Sequence, residues 1–218
     1  MVFTTQSLKN AALEAIAHFL LAACLCLLWM PATSTAAPTE ITQLRTERTE
    51  DGVYLSAVVR FDVPPVVEDA LLKGIAIYFV VEADVYRDRW YWTDVRVASA
   101  ARTLRLAYQP LTGRWRVNIV PGLIASSSGL RATLSQNYET MPEALSAIQR
   151  LAHWKIADDS EVEPGESYML SLNFWLDLSQ LPRPFQIGVA GQRDWTISAQ
   201  VRDRLRLAPA PPAAEVGK

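Results

Sequence analysis

The stretch IAIYFVVEADV, residues 75–85, decides the fold. Ile75, Ile77, Phe79, Val81, Ala83 and Val85 occupy alternate positions, so an extended chain sends all six to one face. A helix would scatter them around its circumference. The same period of two recurs on either side. ITQLRTERT (41–49) and VYLSAVVRF (53–61) flank Glu50-Asp51-Gly52, and Asp-Gly between apolar-alternating runs signals a hairpin. TLRLAY (103–108) and RWRVNI (114–119) form a second hairpin, with Trp115, Val117 and Ile119 pointing one way and Arg114, Arg116 and Asn118 the other. ESYMLSLNFWL (166–176) alternates through Tyr168, Leu170, Leu172, Phe174 and Leu176, and WTISAQVRDRL (195–205) supplies a last strand.

Helical signals are fewer. Pro64 and Pro65 open a short stretch, VVEDALLK, that Gly74 stops. Thr140 is placed as an N-cap with Glu143 three residues on, a capping box, and Pro142 is tolerated in that first turn. Ala144, Ile148 and Leu151 give this main helix an apolar stripe. The segment VPGLIASSSGLRATLSQNY (120–138) reads as an irregular loop. The expected fold is mainly β: an antiparallel β-sandwich of seven to eight strands with one main helix.

Residues 1–36 read as an export signal rather than as fold. An apolar run, IAHFLLAACLCLLWM (16–30), precedes Pro31 and small residues, and Ser34-Thr35-Ala36 fits a cleavage site that would start the mature chain at Ala37. The run is short of the roughly 20 residues that span a bilayer, so a retained inner-membrane anchor is the second reading. A third is lipidation at Cys24, since Leu21-Ala22-Ala23-Cys24 resembles a lipobox; Leu25 to Met30 stay strongly apolar after it, which argues against it. Cys24 and Cys26 are the two cysteines, so a chain cut at Ala36 has no thiol, disulfide or cysteine metal ligand. About 180 residues remain, enough for one core. The expected organisation is a signal at 1–36, one β-rich domain at 37–207 and a disordered Pro/Ala-rich tail at 208–218, in a periplasmic or secreted protein. The net charge of −2 argues against nucleic acid as a partner.

Three blocks, IYFVVEADVYRDRWYWTDVRVASAARTLRLAYQPLTGRWRVNI, YETMPEALSAIQRLAHWKIAD and LDLSQLPRPFQIGVAGQRDW, resemble the domain of unknown function 4390 family of exported bacterial proteins. The resemblance runs from roughly Glu40 to Leu205, with RWYW and LPRPFQ…RDW its most specific parts. It implies a periplasmic or secreted, mostly β protein with no established activity, whose genes lie near those of membrane sensor kinases. It carries over no catalytic residue.

The binding candidates lie where Arg87-Asp88-Arg89 breaks the strand and RWYWTDVRV returns. Tyr91 and Thr93 share a face with Val95 and Val97, the expected buried face. Trp90 and Trp92 then share the other with Asp94 and Arg96, where rings flanked by arginine stack on sugars or grip anions. The plainer alternative is that a loop covers the tryptophans, or that the register is displaced by one. Arg87, Arg89, Arg96, Arg102, Arg105, Arg114 and Arg116 would make a basic face if the hairpins are neighbours, suited to phosphate or carboxylate; paired charges on a solvated sheet are the plainer reading. Asp158, Asp159, Glu161, Glu163 and Glu166 form an acidic loop without the spacing of a calcium loop. His153 is the one histidine of the mature chain, beyond a helix end where a cation suits the dipole, and no G-x-S-x-G accompanies it. No metal or cofactor is expected.

The sequence therefore supports a non-enzymatic envelope binding module, with Arg89, Trp90, Trp92, Arg96, Arg114 and Arg116 as its surface and an envelope protein, glycan or lipid as its partner. Contact with the membrane is expected only through an uncleaved signal or lipidation. The alternative is an envelope glycan hydrolase using Asp177 and Asp194 as a carboxylate pair. Intact-mass measurement of the exported protein is expected to give a chain starting at Ala37. A lipidated species starting at Cys24, or an uncut chain in membranes, would replace that expectation.

Overall fold

The computed structural model describes residues 38–88, 94–123, 134–163, 165–183, 185–186 and 195–205. Among them run nine strands and two helices. β1 (Glu40–Thr49), β2 (Gly52–Arg60) and β7 (Arg150–Asp158) form a three-stranded antiparallel sheet in the order β1-β2-β7. β3 (Ile77–Arg87), β4 (Val95–Gln109), β5 (Arg114–Pro121), β6 (Leu134–Tyr138), β8 (Tyr168–Leu176) and β9 (Ser198–Arg204) form a second, in the order β6-β5-β4-β3-β8-β9. α1 (Pro65–Leu72) follows the first hairpin and α2 (Met141–Gln149) leads into β7. The mainly β, sandwich-like architecture is the expected one.

The alternation read along residues 75–85 sets the inner face. Ile77, Phe79, Val81, Ala83 and Val85 are fully buried. Their cross-strand partners on β8, Leu176, Phe174, Leu172 and Leu170 opposite Phe79, Val81, Ala83 and Val85, are buried too. From the small sheet Val53, Leu55, Ala57 and Val59 face them, and Phe61 just beyond β2 closes a three-ring cluster. Its ring centroid lies 5.2 Å from that of Phe79 and 5.3 Å from that of Phe174, which stand 5.6 Å apart. At Gly52 the small sheet leaves no room for a side chain: a Cβ would sit 2.2 Å from the Ala157 carbonyl oxygen.

Strand count and placement depart from expectation in three ways. Residues 95–109 make one 15-residue strand rather than a return followed by a separate TLRLAY. The stretch taken as loop ends in β6, whose polar LSQNY has no apolar alternation because it pairs on one side only, at the sheet edge. Residues 150–158 are a strand, so Leu151 belongs to β7 and α2 stops at Gln149. Irregular pairing between β2 and β7 breaks the period of two there. His153 is accordingly no helix-end residue. It has φ +42°, its N–H donates to Ser56 Oγ at 3.1 Å, and its ring stacks on Tyr54 at 4.1 Å.

The capping box formed as read: Glu143 N donates to Thr140 Oγ1, and Glu143 Oε2 accepts from Thr140 N. The acidic connection after β7 is tied to neighbouring strands. Asp159 accepts from Arg48 of β1 at 2.6 Å and Glu163 from Arg87 of β3 at 3.1 Å, while Asp158 pairs with Lys155 within β7 at 2.7 Å.

The outer edges of the sheets differ. β9 ends in Arg202, Asp203 and Arg204, whereas Leu134–Tyr138 of β6 carries no charge. No helix among the described residues is long and apolar enough to cross a membrane. Because Phe174 belongs to the ring cluster joining the two sheets, Phe174→Ala is expected to cost about 3–5 kcal/mol of stability, read as a lower urea midpoint.

Candidate functional site

The outward face of the large sheet carries the candidate site. In β3 the residues between the core positions, Tyr78, Val80, Glu82, Asp84 and Tyr86, turn away from the small sheet. Strand register then aligns two rows across four strands. One is Ser99, Asp84, Ser171 and Arg202; the next is Arg96, Tyr86, Met169 and Arg204. Between them a recess of about 180 Å³ is lined by Tyr86, Asp94, Met169, Leu170, Ser171 and Arg202.

Asp84 is the unusual member. Its side chain is 8 % exposed although it stands on the outward face, and its ion pair with Arg96, itself 56 % exposed, is long at 3.4 Å. The Tyr86 hydroxyl donates to its second oxygen at 3.5 Å, the outer limit for such a bond. Ser171 Oγ accepts from Gln200 at 3.4 Å. The carboxylate is shielded by its neighbours but only weakly bonded by them, so it retains acceptor capacity.

Of the residues expected to bind, Arg96 belongs to this site and Asp94 lines its recess. Arg89, Trp90 and Trp92, together with Tyr91 and Thr93, lie outside the described residues, as do Ala36, Ala37, Cys24 and Asp194. The expected buried face of the return does not continue to Val95, which is 39 % exposed; an irregularity opposite Val85 and Tyr86 resets the alternation there.

The six described arginines of the expected basic face do not make one face. Arg114 and Arg116 stand at the far end, where Arg114 lies 4.0 Å from Glu139 and Arg116 donates to Asn137 at 3.0 Å. Eleven residue steps along β4 separate Arg96 from Ala107, the partner of Arg116, roughly 35 Å of extended chain. Arg105 bonds Tyr78 and Asn118 between them. Arg87 and Arg102 are in register with core positions: Arg87 opposite Tyr168, Arg102 opposite Val81.

Asp177, half of the expected hydrolase pair, accepts from Ser179 N at 2.9 Å and so caps the short 3-10 turn at residues 178–180. Among the described residues no group of three or more His, Cys, Asp or Glu is placed to hold a metal.

Asp84, Tyr86, Met169, Ser171 and Arg202 were not singled out from the sequence. Period two does put each of them opposite the core face. Which of them meet depends on pairing β8 between β3 and β9, and no local signal specifies that.

The Asp84–Arg96 pair gives a direct test. Arg96→Ala leaves a shielded carboxylate without its counter-ion and is expected to cost about 1–2 kcal/mol. In an Asp84→Ala background the same change should cost several-fold less, a coupling that thermal unfolding of the four proteins measures.

Comparison with known proteins agrees with this picture of a fold without an assigned chemistry. No curated protein and no solved structure matches the chain. The family described as "Domain of unknown function (DUF4390)" matches residues 36–204, nearly all of the β-rich region. The chain therefore belongs to the DUF4390 family.

Proposed function

We propose that this protein is a non-enzymatic binding module of the bacterial cell envelope, and that its outward recess holds one sugar ring of an envelope glycan. The observation that carries the reading is the composition of the recess. Tyr86 offers a ring face and Met169 an apolar wall. Arg202 and the Ser171 hydroxyl are donors, Asp94 an acceptor, and under-bonded Asp84 lies in the adjoining row position. Donors and acceptors interleaved beside a ring suit polyhydroxylated ligands, whose hydroxyls each donate and accept. Both signs of charge are present, which fits a neutral ring better than a phosphate.

Size supports a module. Sites that enclose a whole small molecule run from about 300 to 1,000 Å³. A recess of about 180 Å³ takes one group of something larger. That suits a polymer or a surface-bound glycan, with the rest of the ligand running over the open sheet. The apolar segment at residues 16–30 supports delivery to the envelope, where a membrane signalling system is a suitable user.

Titration with N-acetylhexosamine oligosaccharides, followed by isothermal calorimetry, is expected to show saturable binding. Arg202→Ala and Tyr86→Ala should each weaken it about tenfold, roughly the 1.4 kcal/mol of one lost polar or stacking contact. Binding to vesicles containing phosphatidylglycerol, with none to any oligosaccharide, would replace the glycan reading with an anionic-lipid one.

A further inference from the structure

A second site is indicated on the opposite face of the large sheet. The cross-strand row Pro121, Arg102, Val81, Phe174 and Ala199 faces the small sheet. In it an arginine stands where its neighbours are apolar. Nε and Nη2 of Arg102 are buried and have no hydrogen-bond partner among the described residues. Its guanidinium carbon lies 4.4 Å from the centre of the Trp154 ring. Burial draws the group down from its usual range to about 10, so it is still a cation at neutral pH.

The two unpartnered nitrogens flank one edge of the planar guanidinium. That edge grips a carboxylate or phosphate through two parallel N–H bonds. Arg48 uses the same edge: its Nε and Nη2 both donate to Asp159 Oδ1, at 2.9 and 2.6 Å. The Trp154 ring offsets part of the charge of Arg102 but accepts neither N–H.

The approach of Trp154 is built into β7. Leu151 pairs with Ala57 and Trp154 with Leu55, so two positions of β2 are opposed by three steps of β7, with His153 in the left-handed conformation between them. Without that extra residue, strict alternation from Leu151 would turn position 154 outward. Arg102 as a whole is half-buried and stands toward one flank of the small sheet. β7 is an edge of the small sheet and packs near β4, while Pro121 on β5 is exposed and Ile119 only half-buried.

We propose that Arg102 anchors an anion site at this flank, taking a carboxylate or phosphate group on its Nε–Nη2 edge with Trp154 as the wall. The site is separate from the outward recess and does not depend on the glycan reading.

The test is ¹⁵N NMR of arginine Nε–H signals in the full chain, titrated with sodium acetate, sodium phosphate or sodium chloride at matched ionic strength. The Arg102 signal is expected to shift and saturate with acetate, phosphate or both, and not with chloride. At tenfold excess over half-saturation the melting temperature should rise by about 3 °C. Response to phosphate alone assigns a phosphoryl ligand; response to acetate, with or without phosphate, assigns a carboxylate. Arg102→Met should abolish the temperature rise. Should Arg102→Met fail to fold, Arg102→Lys, which keeps the charge without the paired donors, should weaken it at least about tenfold. An Arg102 signal that neither oxyanion moves, or that chloride moves equally, overturns the proposal.

Discussion

Everything in this fold rests on one constraint: β3 must bury its alternating apolar face from both sides at once. Within the large sheet it is flanked by β4 and β8, which present apolar residues in register with its own except at Arg102, opposite Val81. Across the gap the small sheet contributes Phe61 against Phe79 and Phe174. Two sheets of unequal width can share one core only where they overlap. The three-stranded sheet spans part of the six-stranded one, and α2 packs near β5 and β6. Buried apolar area scales with that overlap, so the ring cluster is where sheet pairing and hydrophobic burial act together.

Unequal width also shapes the two candidate sites. A narrow sheet laid on a broad one leaves the broad sheet's outward face open and creates a flank at β7. Both places hold polar groups that their own neighbours satisfy incompletely: Asp84 on the outward face, and Arg102 on the inner face. A stability-driven sequence would place Thr or Val at the first position and Leu at the second. Shielded charges with unused hydrogen-bonding capacity are costly to keep, and their retention is the physical basis for reading both positions as binding sites.

How much of this was legible in the sequence depended on whether a segment obeys a strict period. Residues 53–61, 75–85 and 166–176 do, and they were read correctly, as was the capping box at Thr140 and Glu143. β7 escaped because irregular pairing shifts its alternation, and β6 because a polar edge strand has no buried face to reveal. Arg96 is outward-facing as alternation against Val95 and Val97 expected, although Val95 itself is exposed. The arginines could not be sorted further: Arg96 and Arg116 are on one face but far apart, and Arg102 occupies a position that period two itself assigns to the core. Sheet order decides such matters, and it is set by contacts between residues distant in sequence.

The unlike edges of the large sheet bear on how the molecule would associate at high concentration. β9 presents Arg202, Asp203 and Arg204, which discourage a second strand from adding. β6 presents an uncharged ribbon at the other end. A sheet open at both ends can grow into a filament, but one open at a single end can only meet another copy of itself. Pairing β6 to β6 about a two-fold axis consumes both free edges and leaves guarded ones outside. Association through the edges of the large sheet thereby favours closed dimers over filaments.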